Sequence, residues 1–508
     1  MLNVERRQRP FSVFWATSVL ALAILLALLP LPYAGGIALA AAVTILALID
    51  PIWAVYAALL SVPMQDLIAL PGGLSVTQAA LLLAIAALAL HSLIDPERPF
   101  WPGRLLLPFA LLLLALVTSL IFTPYSRLAA LRELMRWGTV PLIYLLTLRS
   151  FQETGARGQG AGDGAMLAPA AWRLYGLLAC LLLAPAVDAL VGVIQFWYGL
   201  GPPSFAVGGG HVRSYGTIGQ PNSFAGYMNQ AWPLALSLTG GALIWLWRGA
   251  PRRLGLALLL ALAGLSGLLL VALLTSFSRG GWVGALGGVL VLGLAGSGLL
   301  APQLRRWAWR GAVLAAGGLL LVLILGGGGL LPAALAGRLS SITTNLRVFD
   351  VRGVEVTPEN FAVVERMAHI QAAWQMFVRH PLTGVGAGNY TQAFEQTPLP
   401  GELPISTRPW HVSRGHAHNY YLHIAAEVGI LGLAAYLLLL VMVGWQALRA
   451  LRSPRGPLWS WVALGCAGVT AALAVHNIFE NLHVLNMGLQ LGTIWALLVV
   501  AERSGVKD

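Results

Sequence analysis

Roughly twelve stretches of 18 or more apolar residues recur along this 508-residue chain, each long enough to cross a ~30 Å hydrocarbon core as a helix. No other feature limits the fold as tightly. A backbone surrounded by lipid finds no water to bond, so it must satisfy its own polar groups within helices or a closed barrel. Composition agrees: 58% of residues are hydrophobic and only 10% charged, whereas soluble domains are about a quarter charged. A soluble enzyme and a single-span receptor are excluded. The expected fold class is all-α, a polytopic transmembrane helical bundle of 12–14 spans with a large, partly helical outer loop.

Apolar segments fall near 12–32, 75–94, 104–122, 130–148, 172–198, 222–246, 254–276, 281–300, 311–331, 419–444, 459–479 and 484–501. The stretch 36–63 breaks at Asp50-Pro51 into two pieces too short for a perpendicular span, either two tilted helices or a re-entrant hairpin. Both return the chain to the same side. Arg6, Arg7 and Arg9 precede the first apolar run, which reads as a signal-anchor with an inner N-terminus. Alternate loops should then be basic. They carry Arg98 and Arg104; Arg149, Arg157 and Arg173; Arg248, Arg252 and Arg253; Arg305, Arg306 and Arg310; Arg449, Arg452 and Arg455; and Arg503 with Lys507. Together with the N-terminal three these are 19 of the 31 basic residues. Both termini are therefore expected to be cytoplasmic, with the bundle in the cytoplasmic membrane. The net charge of +12, which in a soluble chain would point to nucleic acid, is read as an orientation signal with no nucleic-acid partner.

Three regions follow: transmembrane helices with short loops over 1–331, a large outer loop over 332–418, and C-terminal spans over 419–508. A second outer loop, 200–222, and a Gly-rich inner linker, 149–171, complete the pattern. Within the large loop, Phe361, Val364, Met367, Ile370, Trp374 and Phe377 recur at three- to four-residue spacing. They predict an amphipathic helix over 359–379 that lies on the membrane interface or caps the bundle, ended at His380-Pro381. Cys180 and Cys466 sit in apolar runs and make neither a disulfide framework nor a zinc site.

Polar groups concentrated on one face of a hydrophobic protein are the functional candidates. Here they are His211, Arg213, Asn222, Arg279, the arginines of the large loop and the cluster Arg414-Gly-His416-Ala-His418-Asn419. A metal held by His416 and His418 with His411 or His423 lacks an acidic partner in the sequence, so no metal or other cofactor is expected. A transporter would use ionisable groups within spans, such as Arg132, Glu133, Arg136 and Asp188, although these also read as paired or snorkelling residues. Transfer chemistry on a phosphorylated lipid needs a histidine base and arginines to hold a departing diphosphate. His418, Arg279, Arg213 and Arg414 supply that inventory. Asn222 and Asn419 either cap the helices that begin beside them or touch substrate. Gly384-Val-Gly-Ala-Gly388 follows no strand, so it makes a tight turn or a backbone anion nest rather than a dinucleotide fingerprint.

The run His418-Asn419, nine residues, Gly429, two residues, Gly432 resembles the signature of the O-antigen ligase/polymerase family. Gly219-Gln-Pro-Asn222, Ser278-Arg279-Gly280, and the segment from Glu365-Arg366 to His380-Pro-Leu-Thr-Gly-Val-Gly-Ala-Gly-Asn389 resemble other marks of that family, in its order. The resemblance covers about 200–435. It implies a metal-independent, inverting membrane glycosyltransferase that takes a glycan from undecaprenyl diphosphate. The acceptor it implies is a hydroxyl of a lipid A-core sugar for a ligase, the next lipid-linked unit for a polymerase, or a protein hydroxyl for a protein-glycosylating branch. Carried over by motif, His418 is the base and Arg279 holds the diphosphate. Arg213 and Arg414 join it by neighbourhood, with Asn419, His416 and Asn222 in support.

Overall fold

The computed structural model describes residues 30–68, 70, 74–94, 100–157, 168–299, 305–306, 310, 350–351, 354–357, 360–397, 415–453 and 456–503. Most of the expected span 12–32, all of 311–331, and Arg414 lie outside them. The chain is a polytopic helical bundle. Its helices are α1 (Leu31–Ile49), α2 (Ile52–Ser61), α3 (Val76–Ile94), α4 (Leu106–Phe122), α5 (Arg127–Arg157) and α6 (Ala168–Tyr198). A hairpin of β1 (Ala206–Gly208) and β2 (His211–Val212) precedes α7 (Pro221–Asn229), α8 (Trp232–Trp247), α9 (Arg252–Thr275) and α10 (Arg279–Gly296). After the undescribed stretch come α11 (Phe361–Arg379), α12 (Tyr390–Gln396), α13 (Tyr420–Arg452), α14 (Pro457–His476) and α15 (Gly488–Arg503). Six helices among the described residues are long and apolar enough to cross a membrane.

The break at Asp50-Pro51 separates α1 from α2, with Asp50 accepting from the Ile52 amide and pairing with Arg173 at 2.5 Å. The expected single span 222–246 is instead two helices, α7 and α8. Pro233 has no N–H to continue the ladder, so the chain restarts at Trp232. The linker expected over 149–171 is shorter, because α5 runs through Arg157 and α6 begins at Ala168.

α15 is buried on every side from Leu489 to Ala501 and forms the axis of the bundle, its Trp495 fully enclosed. α10 and α14 lie in close contact because small residues face each other. A Cβ at Gly284 would stand 2.8 Å from the Ala472 carbonyl oxygen, and one at Gly288 would stand 3.0 Å from that of Gly468. Several arginines of the basic loops meet at one end of the bundle, where Glu502 pairs with Arg449 at 2.5 Å and Arg104 at 3.3 Å.

A second, smaller core lies at the opposite end. α11 buries Val364, Met367, Ala372 and Met376 there against Tyr390, Phe394 and Ala417. Trp374, part of the sequence stripe, is turned outward and half exposed. The small alanines between the large residues take the contact face, since they let α11 sit closer to its neighbours. The cap is stitched to α13 at a break in that helix. Gly429 takes φ 70° and ψ −165°, and a Cβ there would fall 2.2 Å from the Leu382 carbonyl oxygen. The 384–388 turn enters this break. Val385 and Gly386 amides donate to the carbonyls of Ala426 and Glu427. The Glu427 carboxylate accepts from the Gly388 and Tyr390 amides at 2.8 and 2.9 Å. The turn is thus a backbone nest, and the group seated in it is the chain's own Glu427 carboxyl.

Candidate active site

At this end of the bundle the helix starts of α7 and α10, the connector after α14 and one face of α11 surround a cleft of about 170 Å³. Its polar lining is Arg213, Asn222, Arg279, Arg366, His476 and Glu480, with Ser278. Each is placed by local structure. Ser278 caps α10, its hydroxyl accepting from the Gly281 amide, so Arg279 occupies the first turn. An arginine beside a helix N-terminus puts two sources of positive potential together, an arrangement suited to an anion. Phe277, just before it, has φ 50°, a left-handed backbone rare outside glycine. Arg213 follows β2 and donates from Nε to the Ser276 carbonyl and from a terminal nitrogen to Asn222 Oδ1, both at 2.8 Å. Gln220, not Asn222, caps α7. Asn222 is therefore available to donate to Glu480 Oε2 at 2.6 Å.

Glu480 is the hub. It lies in the connector between α14 and α15 and is 3% exposed. Its other oxygen faces His416 Nε2 at 3.1 Å and His418 Nδ1 at 3.5 Å. Burial opposes its charge. The adjacent His416 and His418, with Arg366, outweigh that penalty and hold the carboxyl well below the usual carboxylate range. His416 Nδ1 accepts from the His418 amide, which leaves the Nε2 proton directed at Glu480. The 3.5 Å separation at His418 is long for a hydrogen bond, so the carboxylate acts there mainly as an orienting charge. With Nδ1 turned to the carboxylate, Nε2 is the nitrogen left to work as a base. His418 itself has φ 54°. Strain concentrated at such a residue is characteristic of functional sites. Asn419, next in sequence, caps α13 through the Leu422 amide.

Of the residues singled out in the sequence, Arg213, Asn222 and Arg279 line the cleft, and His416 and His418 reach it across Glu480. Arg414 is outside the described residues. His211 stacks on Phe196 away from the cleft lining, and His423 faces Glu427 at 3.5 Å. Glu133 pairs with Arg136 at 2.7 Å, and Asp188 accepts from the amide and hydroxyl of Thr217, anchoring the 200–222 loop. Arg366, one of the candidate arginines of the large loop, also lines the cleft, whereas Glu480 and His476 were not among the candidates. The polar run Asn477-Ile-Phe-Glu-Asn481 between two apolar helices was the signal that could have found the first. Glu480 also supplies the acidic partner that the histidine pair lacked in sequence. Ligand atoms of His416, His418 and Glu480 lie within 4.8 Å of one another, a set a metal could accept. The surrounding Arg213, Arg279 and Arg366 favour an anion in the neighbouring cleft instead.

No curated protein matches the chain. Residues 264–437 match the family model described as O-antigen ligase. The matched segment contains Arg279, Arg366, His416, His418 and the Gly429 break, while Arg213, Asn222, His476 and Glu480 lie outside it. The ordered motifs and the helical bundle agree with this match, and over these residues the chain is similar to the O-antigen ligase family.

Proposed function

We propose that the protein is a membrane glycosyltransferase of the ligase type, working on the outer face of the cytoplasmic membrane. The donor is a glycan linked to undecaprenyl diphosphate, and the acceptor is a hydroxyl of a lipid A-core sugar. The observation that carries this reading is the Glu480 bridge, which ties the histidine pair to the arginine cleft through Asn222. His418 Nε2 takes the acceptor proton as the hydroxyl oxygen attacks the anomeric carbon. The bond from that carbon to the diphosphate oxygen breaks, and the leaving group departs with the electron pair. Arg279, Arg213 and Arg366 stabilise the charge it gains, with Arg414 a further expected ligand. A single displacement with base and leaving group on opposite sides inverts the anomeric centre. Arginine takes the charge-neutralising role, so the reaction needs no metal.

The test is transfer of labelled glycan from a lipid-linked donor by purified protein. His418→Ala should lose roughly 10²–10⁴-fold in rate. Full activity in that variant would remove the base assignment. Offering core-lipid acceptor against a second lipid-linked unit separates ligase from polymerase. The His416, His418 and Glu480 triplet supports one rival reading, metal-assisted transfer, which predicts loss of activity with EDTA and recovery with added divalent cation. A transporter would instead move substrate across proteoliposomes and form no glycosidic bond.

A further inference from the structure

His476 is the last residue of α14 and forms part of the cleft wall, fully buried. Its ring edge lies against Gly280, where a Cβ would stand 3.2 Å from Nε2. Behind it, Nδ1 is 3.4 Å from the side-chain amide nitrogen of Asn229. That nitrogen also donates to the Gly281 carbonyl at 2.9 Å. A carbonyl can only accept, so Asn229 must direct its NH₂ and not its oxygen to this corner. One of the two amide protons serves Gly281, and the other faces the imidazole. A ring nitrogen facing an N–H must be the acceptor, so Nδ1 is unprotonated and the proton of the neutral ring sits on Nε2.

Nε2 has no hydrogen-bond partner among the described residues. A buried donor left unmade is costly and uncommon, and in a native protein it calls for an explanation. The ring borders the same cavity as Arg213, Arg279, Arg366 and Glu480. We propose that His476 is a diphosphate-binding residue, a neutral Nε2–H donor that the Asn229 amide holds in one tautomer and that bonds a phosphate oxygen of the lipid-linked donor. The inference rests on reading the cleft as the diphosphate site. The arginines attract the anion through charge and tolerate several poses, since each offers five N–H groups. A single fixed donor on a buried ring admits few, so His476 adds one hydrogen bond to the charge attraction and sets where the diphosphate rests. The competing account is that the ring only fills the contact between α10 and α14.

The test measures binding of inorganic pyrophosphate to the full chain in detergent by calorimetry, for wild type, Arg279→Ala, His476→Phe and His476→Gln. The phenyl ring fills the contact without a donor, and the glutamine amide restores an N–H at a similar reach. The expected result is about tenfold weaker binding in H476F, recovery to within about threefold of wild type in H476Q, and weaker binding in R279A. Wild-type affinity in H476F alongside a loss in R279A overturns this inference and leaves the diphosphate site standing. Unchanged binding in R279A and H476F, or none in wild type, overturns both. Should H476F fail to fold, ¹⁵N-histidine spectra of the wild type decide, with the signal assigned by its absence from H476Q. An Nε2–H tautomer whose resonance moves on adding pyrophosphate is expected. An Nδ1–H tautomer, or a resonance unmoved at saturation, refutes the proposal.

Discussion

Replacing Glu480 with glutamine separates the two halves of the site. The side chain keeps its shape, but its amide oxygen can accept from only one of Asn222 and His416, and it loses the charge that faces His418 at 3.5 Å. When His418 accepts the acceptor proton it becomes an imidazolium beside that carboxylate. Two unit charges at this distance attract by about 5 kcal/mol at an effective dielectric of 20. The amide dipole and local relaxation recover part of this, leaving roughly 2–3 kcal/mol of lost transition-state stabilisation, or about 30- to 150-fold in kcat. The donor should respond oppositely. In the proposed binding mode its diphosphate lies among Arg213, Arg279 and Arg366 with Glu480 as the opposing charge, so removing the carboxylate should leave donor KM unchanged or lower. Steady-state transfer with varied lipid-linked donor gives both constants, and Glu480→Asp should recover part of kcat. Wild-type kcat in E480Q, or a donor KM that rises as far as kcat falls, would refute the bridge as the link between base and leaving-group site.

Arg366→Ala should raise donor KM by about 10- to 100-fold, the loss of a charge-assisted hydrogen bond, with kcat affected less; an unchanged KM in the same transfer assay removes Arg366 from the diphosphate site. Gly429→Ala should lower thermal stability and open α11 to proteolysis. Its Cβ meets the Leu382 carbonyl and its backbone is left-handed, so the cost is at least about 1–2 kcal/mol; a melting temperature equal to wild type sinks the argument. EDTA should leave transfer intact, and its failure to do so would favour the metal reading of His416, His418 and Glu480. Stability should fall as the medium is acidified below about pH 6.5. His483 is buried and, with Arg136 nearby, its pKa is pushed down to about 3, so below 6.5 the unfolded chain binds a proton that the folded one refuses. This amounts to about 1.4 kcal/mol per pH unit, read from melts across pH, and His483→Gln should flatten the slope. Glu480 has the opposite shape of loss: its contribution is complete above about pH 4.3 and fades only as pH drops toward its depressed value.

The helices were legible because the bilayer leaves few alternatives: long apolar runs appear as α3, α6, α9, α10, α13 and α14. Arginine placement was legible for a related reason. Arg104, Arg449 and Arg503 cannot sit in lipid, and the fold gathers them at one end around Glu502 and Trp101. Interruptions that depend on packing were harder to read. The split of α7 from α8 has Pro233 as a local cue, but the break at Gly429 is intelligible only once the 381–388 turn is seen entering it. The site divides in the same way. His418 and Arg279 sit in recognisable local motifs, and Arg213 stands near one. Glu480 stands far along the chain in a short connector, and its importance comes from the four side chains folded around it. His476 reads as one polar residue at a helix end until Asn229 and Gly280 are placed beside it.

An acid at the centre of an arginine cleft is at first sight the wrong charge, since it weakens the pull on a diphosphate. Its placement follows from what the reaction does to charge. Among the described residues the cleft holds three arginines and one carboxylate. A sugar diphosphate diester with about two negative charges brings that set to neutrality. In the proposed transfer the leaving diphosphate gains about one more negative charge, and His418 gains a proton. The new positive charge appears beside Glu480, and the new negative one beside the arginines. The site as a whole stays near neutral from start to finish, so no net charge has to be created in a poorly solvated cleft. Without Glu480, the imidazolium would form beside three fixed cations, and proton transfer would work against their repulsion. In the proposed mechanism the carboxylate therefore serves the base rather than the substrate, and the Asn222 bridge links it to Arg213 of the arginine site.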